Sequence, residues 1–190
     1  TWTLVPVITG DISVTVLGTT NAAAGVVYKG AEYKNGSTLN ATTSIKKEDF
    51  TAMSVDGMHA VINIDDQNIY VSYFSNSTKF YMIRNHSDGN YMSLNPDYCS
   101  SGNLKLTNRN APQDNRGLWM FEAQDGGGYK IYNYSTGLTK VLGMTGSAAD
   151  ARASMVDRNN TSHSTVFDGT IKFDGTASYI KIKGSANNYW

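Results

Sequence analysis

Three histidines, one cysteine and three glutamates are the residues with which this chain could move protons, bind metal or attack a carbonyl. Their spacing does not favour any of these. His59, His86 and His163 stand far apart, with no His-x-x-x-His pattern and no cysteine beside them, so no metal centre is expected. Cys99 lies among Asp97, Tyr98, Ser100 and Ser101 with no neighbouring base, which is the setting of an inert thiol. Glycoside hydrolysis needs two carboxylates facing each other across a cleft. The glutamates are only Glu32, Glu48 and Glu122, and the aspartates fall mostly in Asp-Gly or Asn-Asp turns. There is no Gly-x-Ser-x-Gly elbow, and Gly126-Gly127-Gly128 fits a hairpin turn better than a phosphate cradle. The expectation is a protein that is not an enzyme and uses no cofactor.

The composition points to an all-β architecture. The 190 residues are 17% charged and include twelve Tyr and eighteen Gly, a balance that favours strands and tight turns over helices. Sixteen Lys and Arg offset sixteen Asp and Glu, and the basic residues are scattered. No net field exists to draw in nucleic acid or an anionic membrane surface. One cysteine permits no intramolecular disulfide, a usage that leans towards a bacterial chain. There is no apolar run long enough to insert into a membrane and no leader-like opening, so an excised piece of a larger secreted or surface protein is expected. The Asn-x-Ser/Thr triplets at Asn35, Asn40, Asn76, Asn85, Asn133, Asn159 and Asn160 then follow from composition alone.

Two regions emerge along the chain. Residues 1–75 read as a small all-β accessory module, either a β-sandwich or a β-grasp-like fold. Residues 1–17 suggest two short strands hinged near Thr9-Gly10-Asp11. Tyr28 to Lys34 leads into an Asn35-Gly36 turn, and Ser44 to Phe50 suggests a helical turn capped by Ser44. Val61 to Tyr73 reads as a hairpin around Asp65–Asn68, with Ile69, Val71 and Tyr73 on one face. Ser75-Asn76-Ser77-Thr78 is the polar joint after it.

From residue 79 the chain repeats itself at an interval of 48. Tyr81-Met82-Ile83-Arg84-Asn85 aligns with Tyr129-Lys130-Ile131-Tyr132-Asn133, Asp88-Gly89 with Thr136-Gly137, Leu94 with Leu142, and Leu118-Trp119 with Val166-Phe167. A third copy opens near Tyr179-Ile180-Lys181-Ile182, about fifty residues on. Such self-similarity marks one supersecondary unit used several times. Four short strands per unit suit a propeller blade or a trefoil lobe; a propeller needs at least four units, a trefoil three.

On these residues the region 79–190 resembles the ricin-type β-trefoil lectins, which occur on plant toxins and as appendages of secreted bacterial glycosidases. The resemblance rests on the opening Tyr-x-Ile-x-Asn followed by Ser-x-Gly, on Leu94 and Leu142, and on Leu118-Trp119. The family's closing Gln-x-Trp stands here as Gly117-Leu118-Trp119 and Thr165-Val166-Phe167, without the Gln. The resemblance implies a shallow sugar pocket on the first lobe. Asn95 and Asp97 follow its second strand, Asn108 lies on the third, Asn115 and Arg116 precede the Trp, and Tyr98 would supply the ring. A pyranose offers one C–H face and a rim of donors and acceptors, which an aromatic ring with neighbouring amides and carboxylates matches. In the second lobe the carboxylate position is Gly143, which has no side chain to bind with. Read for local geometry alone, Asn95-Pro96-Asp97-Tyr98 and Asn108-Arg109-Asn110 are turn residues. Asn85 and Asn133 are expected to bond local backbone, and Trp119 and Phe167 to lie in the core.

The functional expectation is non-catalytic carbohydrate binding within a larger carbohydrate-active protein. Its partners would be a glycan and adjacent domains, without nucleic acid or membrane insertion. The alternative is a structural spacer or protein-interaction module that keeps the trefoil fold without its sugar pockets.

Overall fold

The computed structural model of the chain describes residues 7–100, 103–109, 114–146 and 152–185, with the side chains of 96–100, 103–105, 108 and 109 outside that description. Among these residues the protein is all-β, and helical geometry is confined to 3-10 turns of three residues each. The strands gather into two compact units that divide between Thr78 and Lys79.

The first unit contains β1 (Gly10–Leu17), β2 (Gly25–Tyr28), β3 (Ala31–Lys34), β4 (Thr38–Ala41), β5 (Phe50–Ala52), β6 (Met58–Asp65) and β7 (Asn68–Ser75). They form two sheets, ordered β4-β1-β7-β6 and β3-β2-β5, with β1 and β7 parallel. Both sheets feed one core: Ile12 and Val14 from β1, Val26 and Tyr28 from β2, Phe50 from β5, and Ile69, Val71 and Tyr73 from β7. This is the packing of two facing sheets rather than of a sheet around a helix. Tyr73 bolts the sheets together. Its hydroxyl donates to the Met53 carbonyl at 2.7 Å and accepts from the Gly25 N–H at 3.1 Å.

The turns follow their residue types. Lys29 and Gly30 both take positive φ, 48° and 78°, the pair of left-handed residues that a two-residue hairpin turn requires. Asn35 leaves β3 and accepts the Val16 N–H at 2.8 Å. Of the two strands expected over 1–17, the second is present as β1, and the first falls largely on residues 1–6, outside the described residues. One expectation needs correcting. The helical turn is Lys47–Asp49, and its cap is Lys46, whose N–H bonds the Asp49 carboxylate at 2.9 Å. Ser44 instead accepts the Ile8 N–H, so it ties two segments together and caps nothing.

The second unit contains β8 (Tyr91–Ser100), β9 (Asn103–Arg109), β10 (Trp119–Ala123), β11 (Tyr129–Asn133), β12 (Lys140–Met144), β13 (Ala153–Asp157), β14 (Phe167–Thr170) and β15 (Tyr179–Ile182). Two sheets result, ordered β10-β11-β14-β15 and β12-β13-β9-β8. The 48-residue interval is physical. Tyr81 pairs with Trp119, and Tyr129 with Phe167. Asn85 accepts the Ser87 N–H at 2.7 Å, and Asn133 accepts the Ser135 N–H at 3.0 Å. Gly89 and Gly137 both take positive φ, 73° and 57°, which glycine tolerates at no steric cost. Side chains at matching places also share one core, where Trp119, Phe167, Ile131, Leu142 and Met155 are fully buried. The Trp119 indole donates to the Met92 carbonyl at 3.0 Å, so its one polar atom is satisfied.

The third copy follows at close to the expected fifty residues, one more than the first interval. Gly169 pairs with Ile180, as Phe121 pairs with Ile131, so the interval here is 49 residues. Ile180 and Ile182 enter the core, and Tyr179 is 57% exposed instead of taking the place of Tyr129. Gly169 is required at its position. A Cβ there would stand 2.1 Å from the Tyr179 carbonyl oxygen.

Candidate functional site

The two hairpins β8–β9 and β12–β13 occupy matching places in the repeat, and they differ where a sugar site is expected. Along β12–β13 the ladder runs unbroken from Lys140↔Asp157 to Met144↔Ala153. Along β8–β9 it runs from Tyr91↔Arg109 to Asn95↔Lys105 and then jumps to Cys99↔Leu104. Pro96, Asp97 and Tyr98 therefore form a bulge opposite no partner, immediately after Asn95. Proline has no N–H to give to a ladder, which is a local reason for the break. Bulges re-aim side chains and gather beside functional sites.

Asn95, the last residue before the bulge, is half-buried. The side chains of Asp97, Tyr98 and Asn108 lie outside the described residues. The backbone register still separates Asn108 from the bulge. It pairs with Met92, three ladder positions from Asn95↔Lys105, roughly 10 Å along the strand. The structure does not bring Asn108 beside Asn95.

Asn115 and Arg116 sit in the 3-10 turn Asn115–Gly117, which packs on β8. Asp114 caps this turn by accepting the Arg116 N–H at 3.0 Å. The same carboxylate holds the Arg116 guanidinium, with Nη2 at 2.8 Å and Nε at 3.1 Å from Oδ2. The Arg116 carbonyl is taken as well, by the Asn133 side-chain amide at 2.8 Å. Arg116 thus serves the architecture at both ends. Asn115 is exposed, and among the described residues its side-chain amide makes no hydrogen bond.

In the second repeat Gly143, which the sequence resemblance aligns with a carboxylate, sits where a side chain has no room. A Cβ on Gly143 would stand 2.9 Å from Val156 Cγ2 and 3.1 Å from His163 Cβ. His163 is held in a local turn, where Asn160 Oδ1 accepts its N–H at 2.9 Å. Its Nδ1 lies 3.0 Å from Ser162 Oγ. A serine–histidine contact of this kind activates a nucleophile only when a third group orients the far ring nitrogen. Here Asn160 Oδ1 approaches the same Nδ1, at 3.2 Å. Among the described residues no three of His, Cys, Asp and Glu are grouped to hold a metal ion. No helix among them is long and apolar enough to cross a membrane.

Two clusters escaped the sequence reading because they unite residues far apart in the chain. Tyr132, buried, donates its hydroxyl to Glu122 at 3.2 Å. Burial first, then the Glu122 charge, push its phenol up to about 12, with Arg158 opposing. The second cluster is aromatic. Phe173, in the connection from β14 to β15, packs on Tyr81 at 4.8 Å, Phe121 at 5.2 Å and Tyr129 at 5.8 Å between ring centroids. The bulge itself had a signal in the sequence: Pro96 inside a strand-like run.

No protein-family model, no curated protein and no solved structure matches this chain.

Proposed function

We propose that the second unit is a non-catalytic carbohydrate-binding module built as a ricin-type β-trefoil, working beside other domains of a larger secreted or surface bacterial protein. Support for the trefoil comes from the pairing order. In each lobe the opening strand pairs with its own closing strand, as in Tyr81↔Trp119 and Tyr129↔Phe167. Each closing strand then pairs with the next opening strand, β10 with β11 and β14 with β15, and the two middle strands form a hairpin.

The observation that carries the sugar-binding reading is the three-residue bulge after Asn95 in lobe one, set against the unbroken ladder of lobe two. The bulge sets Asp97 and Tyr98 apart from the ladder, on a hairpin packed against the turn that bears the Asn115 amide. Tyr98 would stack on the C–H face of a pyranose, and Asn95, Asp97 and Asn115 would meet its hydroxyls. One such shallow pocket desolvates little area, so affinity per site is weak and useful binding relies on several sites along one polymer.

A spacer or protein-interaction role is the second reading. It is favoured by Gly143, closed by Val156 and His163, and by Arg116, engaged by Asp114. A glycan-array screen of the chain beside Asn95→Ala, Tyr98→Ala and Asn115→Ala separates the two. Binding to a defined sugar that these changes weaken supports the lobe-one site. A blank array from folded protein turns the assignment to the spacer.

A further inference from the structure

Among the opening strands, β11 shows what the repeat places on its full-length edge. All five of its residues pair with β10, from Trp119↔Asn133 to Ala123↔Tyr129. Two further bonds lock the entry of that strand. The Tyr134 N–H donates to the Leu118 carbonyl at 2.9 Å, and the Asn133 side-chain amide donates to the Arg116 carbonyl at 2.8 Å.

The segment 81–85 is the same element 48 residues earlier, and among the described residues its corresponding edge has no partner strand. Among the described residues, the N–H groups of Met82, Arg84 and His86 meet no acceptor, and Met82 is 52% exposed. Asn85 keeps the local bond to the Ser87 N–H, as Asn133 does to Ser135. Yet Asn85 is exposed, and among the described residues its side-chain amide has no carbonyl to meet. At the far end of the same sheet, β15 pairs among the described residues with β14 alone. Phe173, in the connection that leads into β15, lies 4.8 Å from Tyr81 at the start of this edge.

We infer that the edge 81–86 is an acceptor groove for one added β-strand of the repeat's own closing type. That strand is headed by a Trp or Phe and preceded by a short polar turn. Its aromatic would lie opposite Asn85 as Trp119 lies opposite Asn133, and the carbonyl three residues before it would take the Asn85 amide. The occupant is read from the repeat, since both closing strands present, β10 and β14, begin with a fully buried aromatic. Unpaired edges recruit strands in this way through main-chain bonds, with one side-chain anchor giving selectivity. The inference stands on the pairing pattern and does not depend on the sugar-binding reading.

The test uses the whole chain and a labelled synthetic peptide of its own sequence 114–124, Asp-Asn-Arg-Gly-Leu-Trp-Met-Phe-Glu-Ala-Gln. The expected result is saturable binding with slowed hydrogen exchange at the Met82, Arg84 and His86 amides. A peptide with Ala in place of Trp binds at least about tenfold more weakly. In the protein, Asn85→Asp keeps the acceptor for Ser87 and removes the amide donor, weakening the peptide about three- to tenfold. Absence of protection at these amides, or equal protection by a scrambled peptide, overturns the inference. Concentration-dependent self-association of the chain that protects the same amides overturns it too, because a second copy then fills the groove.

Discussion

The side-chain amide of Asn133 donates to the backbone carbonyl of Arg116 at 2.8 Å, joining the turn that ends lobe one to the first strand of lobe two. The Asn133 Oδ1 accepts the Ser135 N–H and hydroxyl, and the residue is fully buried. One side chain therefore satisfies backbone on both sides of the lobe junction. Asn133→Ala removes these bonds and leaves a buried carbonyl unpaired, so the second unit loses about 2–4 kcal/mol. Asn133→Asp keeps the acceptor and loses the donor while placing a charge in the core, and is no milder. Urea denaturation followed by tryptophan fluorescence reads both variants.

Trp119 is the largest fully buried side chain among the described residues of the second unit. Trp119→Ala costs about 3–5 kcal/mol, through lost burial and the cavity left behind. Trp119→Phe costs less, about 1–3 kcal/mol, yet strips the Met92 carbonyl of its indole donor. Phe167, its counterpart at the 48-residue interval, has no such polar bond. Phe167→Leu is accordingly milder than Trp119→Phe is for its size, and thermal melts of the pair show it.

The repeat was legible because it is written in residues that local geometry demands. Tyr81 and Tyr129, Asn85 and Asn133, and Gly89 and Gly137 each do the same work twice, in strand pairing, turn capping and left-handed backbone. The third copy, expected about fifty residues on, follows at 49, with Ile180 in the place of Ile131 although Tyr179 is the residue that resembles Tyr129 in type. Type alone cannot fix register; the neighbouring strand does. The candidate site was legible only in part. Asn95 is half-buried just before the bulge and Asn115 is exposed in its turn, whereas Arg116 is captured by an acid two residues away. Asn108 falls three ladder positions from Asn95, a separation that strand order reveals and spacing hides. Tyr132 with Glu122, and Phe173 with Tyr81, meet only after the sheet curls.

The sugar-binding proposal would place a carboxylate at Gly143 in the second repeat, and the surrounding side chains leave no room for one. Gly143→Asp drives a carboxylate against Val156 and His163, where even a Cβ is 2.9 Å from its neighbour. Over-packing of this kind costs about 1–3 kcal/mol before any charge is counted. The variant melts lower than the parent and gains no sugar response on a glycan array. Gly143→Ala isolates the steric part.

Tyr132 gives the second unit an alkaline limit. Its folded pKa, pushed up to about 12, exceeds the value near 10 of an unfolded tyrosine. The neutral phenol is thus favoured by the fold. That contribution is complete below pH 10 and is lost as pH rises from about 10 to about 12, amounting to about 2 kcal/mol. Tyr132→Phe, which cannot ionise, flattens the fall in stability over this window. Urea midpoints measured at steps from pH 9 to pH 12 reveal the difference in slope.

The bulge at 96–98 makes lobe one unlike lobe two, and its removal tests whether that difference is functional. Asn95 pairs with Lys105, and Cys99 pairs with Leu104, so the ladder can close if the three residues between Asn95 and Cys99 are excised. The partner strand runs without interruption from Leu104 to Lys105. The shortened hairpin then resembles β12–β13, whose ladder is continuous and whose core residues Leu142 and Met155 are fully buried. Stability should change by no more than about 1 kcal/mol, because the deletion joins two stretches of ladder already in register and shortens the chain at a bulge. Sugar binding, in contrast, should vanish from the array while the melting temperature holds. A large drop in melting temperature would instead make the bulge a structural requirement of the hairpin. Retention of sugar binding by a stable deletion variant would move the recognition surface away from Asp97 and Tyr98 altogether.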